Sequence, residues 1–106
     1  MAAPDREGDT SVVTRTRTEK KLERPKLYRV LLHNDDYTTR EFVVWILEVV
    51  FHRSEVESVQ IMLHVHNNGV GVAGVYPFDV AQAKVEKVLE LAEQNEFPLL
   101  STLEPE

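Results

Sequence analysis

Three consecutive acceptor side chains, Asn-Asp-Asp at residues 34–36, constrain the fold most. They separate an apolar run from an amphipathic run. Residues 27–32 are apolar, β-branched and aromatic and lie between Pro25 and this turn, which predicts a largely buried strand. Thr38 and Glu41 then have the spacing of a capping box, which predicts that a helix begins there. The chain therefore passes from a strand to a helix through an acidic turn.

Two helices should follow the turn. The spacing of apolar residues predicts that the first ends near residue 51, and a second capping box that starts at Ser54 predicts another helix, which ends near residue 65. Residues 67–69, Asn-Asn-Gly, tolerate the left-handed conformation of a helix C-cap. Trp45 lies off the apolar stripe and should be partly exposed. The residues predicted to face inward are Phe42, Val43, Ile46, Leu47, Val49, Val50, Val56, Val59, Met62 and Leu63.

The last third of the chain predicts a strand, a helix and a strand. Residues 70–76 alternate Val with small residues, which is typical of a strand that another element approaches closely. In the helix that follows, Asp79 is the predicted N-cap, Val80 begins the apolar face and Asn95 ends the helix. A short strand at residues 99–103 completes the order β-α-α-β-α-β, which predicts a single small domain of the α+β class.

Length, charge and the lack of cysteine narrow the function classes. A chain of 106 residues is long enough for one domain with its own core. Without cysteine, disulfide frameworks, thiolate zinc sites and cysteine nucleophiles are excluded. Residues 1–27 hold seven Lys or Arg against five Asp or Glu, so residues 28–106 carry a charge of −8 within a total of −6. An acidic domain is a poor nucleic-acid binder and favours cationic partners.

The N-terminal residues predict a flexible extension. Residues 1–24 are rich in Thr, Arg, Glu and Lys, and their few apolar side chains cannot bury enough surface to offset the ordering entropy. We therefore expect a flexible extension over residues 1–25, either a solvated tail or a tether presented to a partner, and a folded domain over residues 26–106. The chain lacks an apolar run of roughly 18 residues and a secretory signal, which predicts a cytoplasmic protein without a membrane partner.

The acceptors of the Asn-Asp-Asp turn allow several interpretations. Asn and Asp favour turns, and carboxylates ahead of a helix complement its dipole. Because the capping box already supplies a cap, however, some of these acceptors are free for a ligand. A metal site is disfavoured, since His64 and His66 lie about 200° apart around a helix and metal-binding pairs prefer i, i+4. A hydrolase that uses Asp35 or Asp36 with His66 stays open, although the chain has no serine nucleophile elbow and no glycine-rich phosphate loop.

Convergence of Asn34, Asp36 and His66 would instead build a site for an ammonium group. These side chains offer an amide oxygen, a carboxylate and an imidazole nitrogen, and an α-ammonium has three N–H donors and is charged at neutral pH. Five apolar residues near the same end of their elements would line an adjoining pocket. They are Leu32, Val43, Met62, Val65 and Leu99. Such a site would recognise the first residue of a peptide.

Colinear motifs from Lys26 to Glu104 carry a family resemblance. They are Asn34-Asp35-Asp36-Tyr37-Thr38, Glu41-Phe42-Val43, Met62-Leu63 with Val65-His66, Gly69, Gly74-Val75, Ala81 with Lys84-Val85, and Glu96-Phe97-Pro98-Leu99-Leu100 with Thr102-Leu103-Glu104. Together they resemble the bacterial ClpS adaptor family. The resemblance implies the fold, a sheet of three antiparallel strands packed against three helices.

The resemblance also implies a function. ClpS proteins are non-enzymatic adaptors, without a metal or cofactor, that recognise N-end rule substrates, whose first residue is Leu, Phe, Tyr or Trp. They hand these substrates to the ClpA-type AAA+ unfoldase of the Clp protease. By position, Asn34, Asp36 and His66 would hydrogen-bond the substrate's α-amino group, and Asp79 and Lys84 would belong to the unfoldase-docking face. The side-chain pocket would be bordered by Leu32, Asp35, Thr38, Arg40, Val43, Met62, Val65 and Leu99. The N-terminal arm would engage the unfoldase during hand-over.

One position departs from the family pattern. The family commonly has Pro-Met after Asp-Asp-Tyr-Thr, where this chain has Thr39-Arg40. That Met helps to gate the pocket against β-branched residues, whereas the stem of Arg40 would flank the pocket while its guanidinium reaches water. The side-chain preference is therefore the open question. The alternative function is a structural interaction domain of the ribosomal-stalk kind, in which the Asn-Asp-Asp turn only starts a helix.

Overall fold

The computed structural model describes residues 24–106, which form three strands and three helices in the predicted order β-α-α-β-α-β. The predicted extension at residues 1–25 lies almost wholly outside the described residues. The elements are β1 (Leu27–His33), α1 (Arg40–Val49), α2 (Glu55–Asn68), β2 (Val70–Pro77), α3 (Phe78–Gln94) and β3 (Leu100–Pro105). The α+β class is thereby confirmed.

The sheet has the order β2-β1-β3, with β1 in the middle and antiparallel to both neighbours. This is the three-stranded antiparallel sheet that the resemblance implied. His33, the last residue of β1, pairs with Val70 of β2 and Leu100 of β3. Because Val70 directly follows the end of α2, this pairing places the Asn-Asp-Asp turn beside the C-terminal end of α2.

The core lies between the helices and the sheet face that carries Val30 and Leu32, both of which are fully buried. Ile46 and Leu47 of α1 are also fully buried, and each side chain of this size contributes about 1.5–3 kcal/mol when it leaves water. The buried apolar residues are Val30, Leu32, Phe42, Val43, Ile46, Leu47, Val50, Phe51, Met62, Val65, Ala73, Ala81, Val88, Ala92 and Leu99.

The two ends of α2 are formed as predicted. The Ser54 hydroxyl accepts a hydrogen bond from the Glu57 backbone N–H, and the Glu57 carboxylate accepts one in return from the Ser54 backbone N–H. The backbone N–H and the hydroxyl of Ser54 both donate to the Glu57 carboxylate, and these two hydrogen bonds lower the pKa of Glu57. At the other end, Gly69 adopts φ 86° and its N–H donates to the Val65 carbonyl, which closes the helix in the left-handed conformation.

The predicted cap of α1 is wrong by one residue. Thr39, not Thr38, is the N-cap, and its hydroxyl accepts a hydrogen bond from the Phe42 N–H at 3.1 Å. Thr38 instead belongs to the turn before the helix, where its N–H and its hydroxyl both donate to the Asp35 carboxylate at 2.7 Å. The capping box with Glu41 therefore does not form, although a hydroxyl residue still begins the helix.

The predicted N-cap of α3 is also wrong. β2 runs directly into α3, so Pro77 is the N-cap and Asp79 lies within the first helical turn. Asp79 therefore complements the positive end of the helix dipole instead of capping a free N–H. The end at Asn95 is as predicted, since Asn95 is the C-cap of α3.

Several apolar residues that periodicity placed inward are exposed. Val49 of α1 and Val56, Val59 and Leu63 of α2 are all in this group, and Val56 is the extreme case at 68% exposed. The helix α2 packs mainly against α1 and β2, and the face that it buries carries Ser58, Met62 and Val65, of which periodicity predicted only Met62. Trp45 is 42% exposed, as predicted.

Candidate functional site

The turn between β1 and α1 is organised by the carboxylate of Asp35. Its Oδ1 accepts hydrogen bonds from the backbone N–H groups of Tyr37 at 2.8 Å and Thr38 at 2.7 Å, and its Oδ2 accepts the Thr38 hydroxyl at 2.7 Å. Burial disfavours the charged form, but these hydrogen bonds outweigh it, and the pKa of Asp35 lies below its ordinary value. Asp35 therefore holds the loop and has little acceptor capacity left for a ligand.

A backbone hydrogen bond connects this turn to α2. The N–H of Asn34 donates to the carbonyl of Gly69 at 2.8 Å. Gly69 sits directly after the last turn of α2, where the left-handed cap turns the chain towards β2. His66, three residues earlier, is thus held next to the Asn-Asp-Asp turn.

The two elements enclose a pocket of about 210 Å³. Its apolar wall consists of Val43 from α1 and Met62 and Val65 from α2, all of which are buried. The full lining is Asn34, Asp35, Asp36, Thr38, Arg40, Val43, Met62, Val65 and His66. The structure therefore brings together the three residues expected to bind an amino group and six of the eight expected to border a side-chain pocket.

Leu32 and Leu99 are not part of this lining. Leu32 is fully buried and Leu99 is 3% exposed, and both belong to the hydrophobic core. Leu32 lies on the sheet face that packs against the helices, so its side chain is already occupied by internal packing. The sequence placed Leu32 near the correct end of its strand, but it did not show which face of the sheet Leu32 occupies, and Leu99 lies just before β3, not within the strand as predicted.

The polar rim has free acceptors on Asn34 and Asp36. Both residues are exposed, and within residues 24–106 neither side chain is engaged in a hydrogen bond. An amide oxygen and a carboxylate thus face the same pocket as the imidazole of His66. In the described structure no hydrogen bond joins Asp35 or Asp36 to His66, so the aspartate–histidine pair that a hydrolase would need is not formed.

Arg40 makes a contact that the sequence did not predict. Its Nη2 donates to Nε2 of His66 across a distance of 2.9 Å. Arg40 is the first residue of α1 and His66 lies in the last turn of α2, so the contact crosses the pocket between the two helices. The two residues are 26 positions apart, and no periodicity within one element could have revealed the pairing.

The other histidines are used elsewhere. His33 Nε2 lies 2.8 Å from the Thr102 hydroxyl on the sheet, and His64 Nδ1 lies 3.2 Å from the side-chain amide of Asn68. Among the described residues no three His, Cys, Asp or Glu side chains are grouped so that they could hold a metal ion.

Asp79 and Lys84, the predicted docking residues, lie together in a second groove. The groove measures about 510 Å³ and lies between the end of α1 and the first half of α3. Lys84 donates through Nζ to the Val50 carbonyl at 2.6 Å and stands 5.6 Å from the centre of the Tyr76 ring. The lining is Val49, Val50, His52, Asp79, Val80, Ala83, Lys84 and Lys87.

Comparison with known proteins identifies the family. Residues 23–102 match the family model described as "ATP-dependent Clp protease adaptor protein ClpS". The chain belongs to the ClpS family. This ClpS chain is 59% identical to the Clp protease adapter ClpS of Myxococcus xanthus over 104 residues, which cover 98% of the chain and 97% of the relative. The corresponding adapter of Desulfatibacillum aliphaticivorans is 52% identical over 104 residues, 98% of this chain and 99% of the relative.

A solved structure shares the fold of this ClpS chain. It is that of Agrobacterium tumefaciens ClpS2 bound to L-phenylalaninamide, with a TM-score of 0.76 and 44% sequence identity. The match covers 78% of this chain and 100% of the other. The chain is thus an adaptor of the Clp protease and not itself a protease, as the resemblance implied. The residues described here include no helix that is long and apolar enough to cross a membrane.

Proposed function

We propose that this ClpS chain recognises N-degrons by their free α-amino group and first side chain, and delivers them to a ClpA-type unfoldase of the Clp protease. The observation that carries this proposal is the convergence of Asn34, Asp36 and His66 at the rim of one pocket whose wall is apolar. An ammonium group and a large apolar side chain, attached to the same carbon, are the chemical complement of such a site.

The polar rim of the pocket can bind the α-ammonium group. The Asn34 amide oxygen, the Asp36 carboxylate and the His66 imidazole can each accept one of its three N–H donors. Hydrogen bonds that involve a charged group contribute roughly 1.5–3 kcal/mol each, so loss of one acceptor should cost about ten-fold or more in affinity. An acetylated amine keeps only one N–H donor and no charge, and it should bind far more weakly.

The apolar wall of the pocket can bury the side chain of the first residue. Val43, Met62 and Val65 form its apolar part, and full burial of a Leu or Phe side chain contributes about 1.5–3 kcal/mol. The ligand of the Agrobacterium ClpS2 structure, L-phenylalaninamide, has a free α-amino group beside a benzyl side chain, which supports the same ligand chemistry here. Leu, Phe, Tyr and Trp are the proposed first residues.

Delivery is assigned to the second groove and to the N-terminal extension. Asp79 is exposed, and the neighbouring Val49 and Val80 are exposed apolar residues, a combination suited to contact with another protein. We assign this groove to the docking of the unfoldase, and residues 1–25 to a segment that the unfoldase engages in the cytoplasm. Residues 26–106 are the substrate-binding domain.

A peptide titration tests recognition. A fluorescent peptide that begins with Phe should bind, and its N-acetylated twin should not. Asp36→Ala and His66→Ala should each weaken binding by at least ten-fold, whereas Glu48→Ala and His64→Ala, which change exposed residues outside the pocket, should leave it unchanged. Equal binding of the free and acetylated peptides would contradict the proposal.

A further inference from the structure

The contact between Arg40 and His66 bears directly on the amino-group site, and its chemistry is determined by the two side chains. A guanidinium carries only N–H donors, so in the 2.9 Å contact His66 Nε2 must be the acceptor. A neutral imidazole has one acceptor nitrogen, and its other nitrogen carries the hydrogen. In this state, His66 therefore has no lone pair left for a second donor.

An α-ammonium makes the same demand on His66. It too carries only donors, so it needs the one imidazole lone pair that Arg40 occupies. The two cations cannot be bound by His66 at the same time, whichever ring nitrogen the ligand approaches. Both residues also line the pocket, so the guanidinium lies within the space that an incoming ligand must enter.

We propose that Arg40 is a built-in competitor for the substrate's α-ammonium, which occupies His66 in the empty adaptor and has to be displaced when an N-degron binds. This proposal rests on the proposed function of the pocket and adds to it a residue that sets the affinity for the ligand. Any ligand that needs the His66 lone pair has to displace Arg40 first. The competitor therefore lowers the apparent affinity for N-degrons, and its removal should raise that affinity.

The size of the effect follows from the strength of one exposed hydrogen bond. The apparent dissociation constant is the intrinsic value divided by the fraction of molecules in which His66 is free. For a single solvent-exposed contact of this kind, that fraction is small enough to weaken binding by about three- to ten-fold. Arg40→Ala should remove the competitor and tighten the binding of a Phe-initiated peptide by that factor. Relief of crowding in the pocket would also tighten binding, but such a gain would not depend on His66, and a double-mutant cycle separates the two effects.

A matched control separates this effect from net charge. Arg29 lies on the sheet, where its Nη1 is 3.4 Å from the Glu104 carboxylate, and it does not line the pocket. Arg29→Ala changes the charge of the chain by the same amount as Arg40→Ala and should leave the affinity unchanged. Arg40→Met, which keeps an unbranched stem but has no donor, should show at least the same gain as Arg40→Ala.

A double-mutant cycle tests whether His66 transmits the effect. In the His66→Ala background there is no lone pair to compete for, so Arg40→Ala should then give no gain. Nitrogen-15 spectra of the imidazole report the same event without any ligand: His66 of the unaltered protein should carry its hydrogen on Nδ1, and the share of this tautomer should fall in Arg40→Ala.

The outcomes distinguish this inference from the proposed function. If the unaltered protein binds a Phe-initiated peptide no better than its acetylated twin, the proposed function fails. If it prefers the free amine, but Arg40→Ala binds no tighter than Arg29→Ala, only the role of Arg40 as a competitor is overturned. An equal gain from Arg40→Ala with and without His66, or an unchanged His66 tautomer, would overturn it as well.

Discussion

Replacement of Asp35 by Ala should destabilise the protein much more than replacement of its neighbour Asp36. Asp35 accepts three hydrogen bonds at 2.7–2.8 Å that close the turn before α1. A net contribution of about 0.5–1.5 kcal/mol each, with partial replacement by water in Asp35→Ala, gives an expected loss of about 1.5–3 kcal/mol in the free energy of unfolding. In the part of the chain that the structure describes, Asp36 accepts no hydrogen bond, so Asp36→Ala should change stability by less than about 0.5 kcal/mol.

Urea denaturation, followed by the fluorescence of the single tryptophan, Trp45, measures this difference. With a slope of about 1–2 kcal/mol/M for a domain of this size, the midpoint of Asp35→Ala should fall by roughly 0.8–3 M at an unchanged slope. Asp36→Ala should weaken peptide binding while it leaves stability almost unchanged, because it removes a contact to the ligand and no contact within the fold. Equal losses of stability in the two variants would refute the assignment of Asp35 to the loop and Asp36 to the ligand.

The difference in stability between the unaltered protein and Asp35→Ala should depend on pH, in a direction that follows from the pKa of Asp35. Hydrogen bonds outweigh burial and lower the pKa of Asp35 in the folded state, so its stabilising contribution is fully present above its unfolded pKa of about 4. That contribution is lost as the pH falls through the lower, folded pKa. The stability gap between the unaltered protein and Asp35→Ala should therefore be smaller near pH 2.5 than at pH 7. A gap that stays constant, or widens in acid, would contradict the hydrogen-bond pattern.

Three further predictions concern other parts of the chain. Thr39→Ala should lower the free energy of unfolding by about 1 kcal/mol through loss of the α1 cap, as measured by urea denaturation, and Thr39→Ser should not. Arg40→Met should change the ranking of peptides that begin with Leu, Phe, Tyr, Trp, Ile or Val, because residue 40 lines the pocket, and competition binding measures this ranking. Asp79→Lys, in the docking groove, should leave peptide affinity unchanged and slow the degradation of a Phe-initiated reporter by a ClpA-type protease several-fold.

Each of these has an outcome that would contradict it. A loss from Thr39→Ser as large as from Thr39→Ala would show that the hydroxyl is not the cap. Unchanged ratios among the six peptides would show that residue 40 does not contact the first side chain. Normal degradation with Asp79→Lys, alongside an equal rate with Glu93→Lys as an exposed control on α3 outside the groove, would remove Asp79 from the docking face.

The two hydroxyl-x-x-Glu patterns show how much the local sequence can predict about where a helix begins. Ser54 and Glu57 form the predicted capping box. The same pattern at Thr38 fails, because Thr38 is held in the Asp35 turn and the helix begins one residue later, with Thr39 as its cap. A pattern of four residues predicts that a helix begins, but the conformation of the preceding turn decides at which residue.

The exposed valines show a second limit. Apart from Met62, periodicity chose the wrong face of α2: its buried residues are Ser58, Met62 and Val65, whereas Val56 and Leu63 lie on another face and are exposed. Similarly, Leu32 and Leu99 were expected to border the pocket and are not in its lining, whereas the core residues Val43, Met62 and Val65 are. The face that an element buries depends on the size and angle of the elements packed against it.

The sequence by itself determined the order of the elements, the position of the strand β1, the caps at Ser54 and Gly69, and the acceptor groups that can serve an ammonium ligand. These follow from interactions between residues a few positions apart. Only the tertiary structure decided that the Asn34 N–H meets the Gly69 carbonyl and that Arg40 reaches His66. Such contacts depend on how β1, α1 and α2 pack, and a displacement of about one ångström between elements makes or breaks a hydrogen bond. The chemistry of the pocket was therefore predictable from the sequence, whereas the contact by which Arg40 occupies His66 was not.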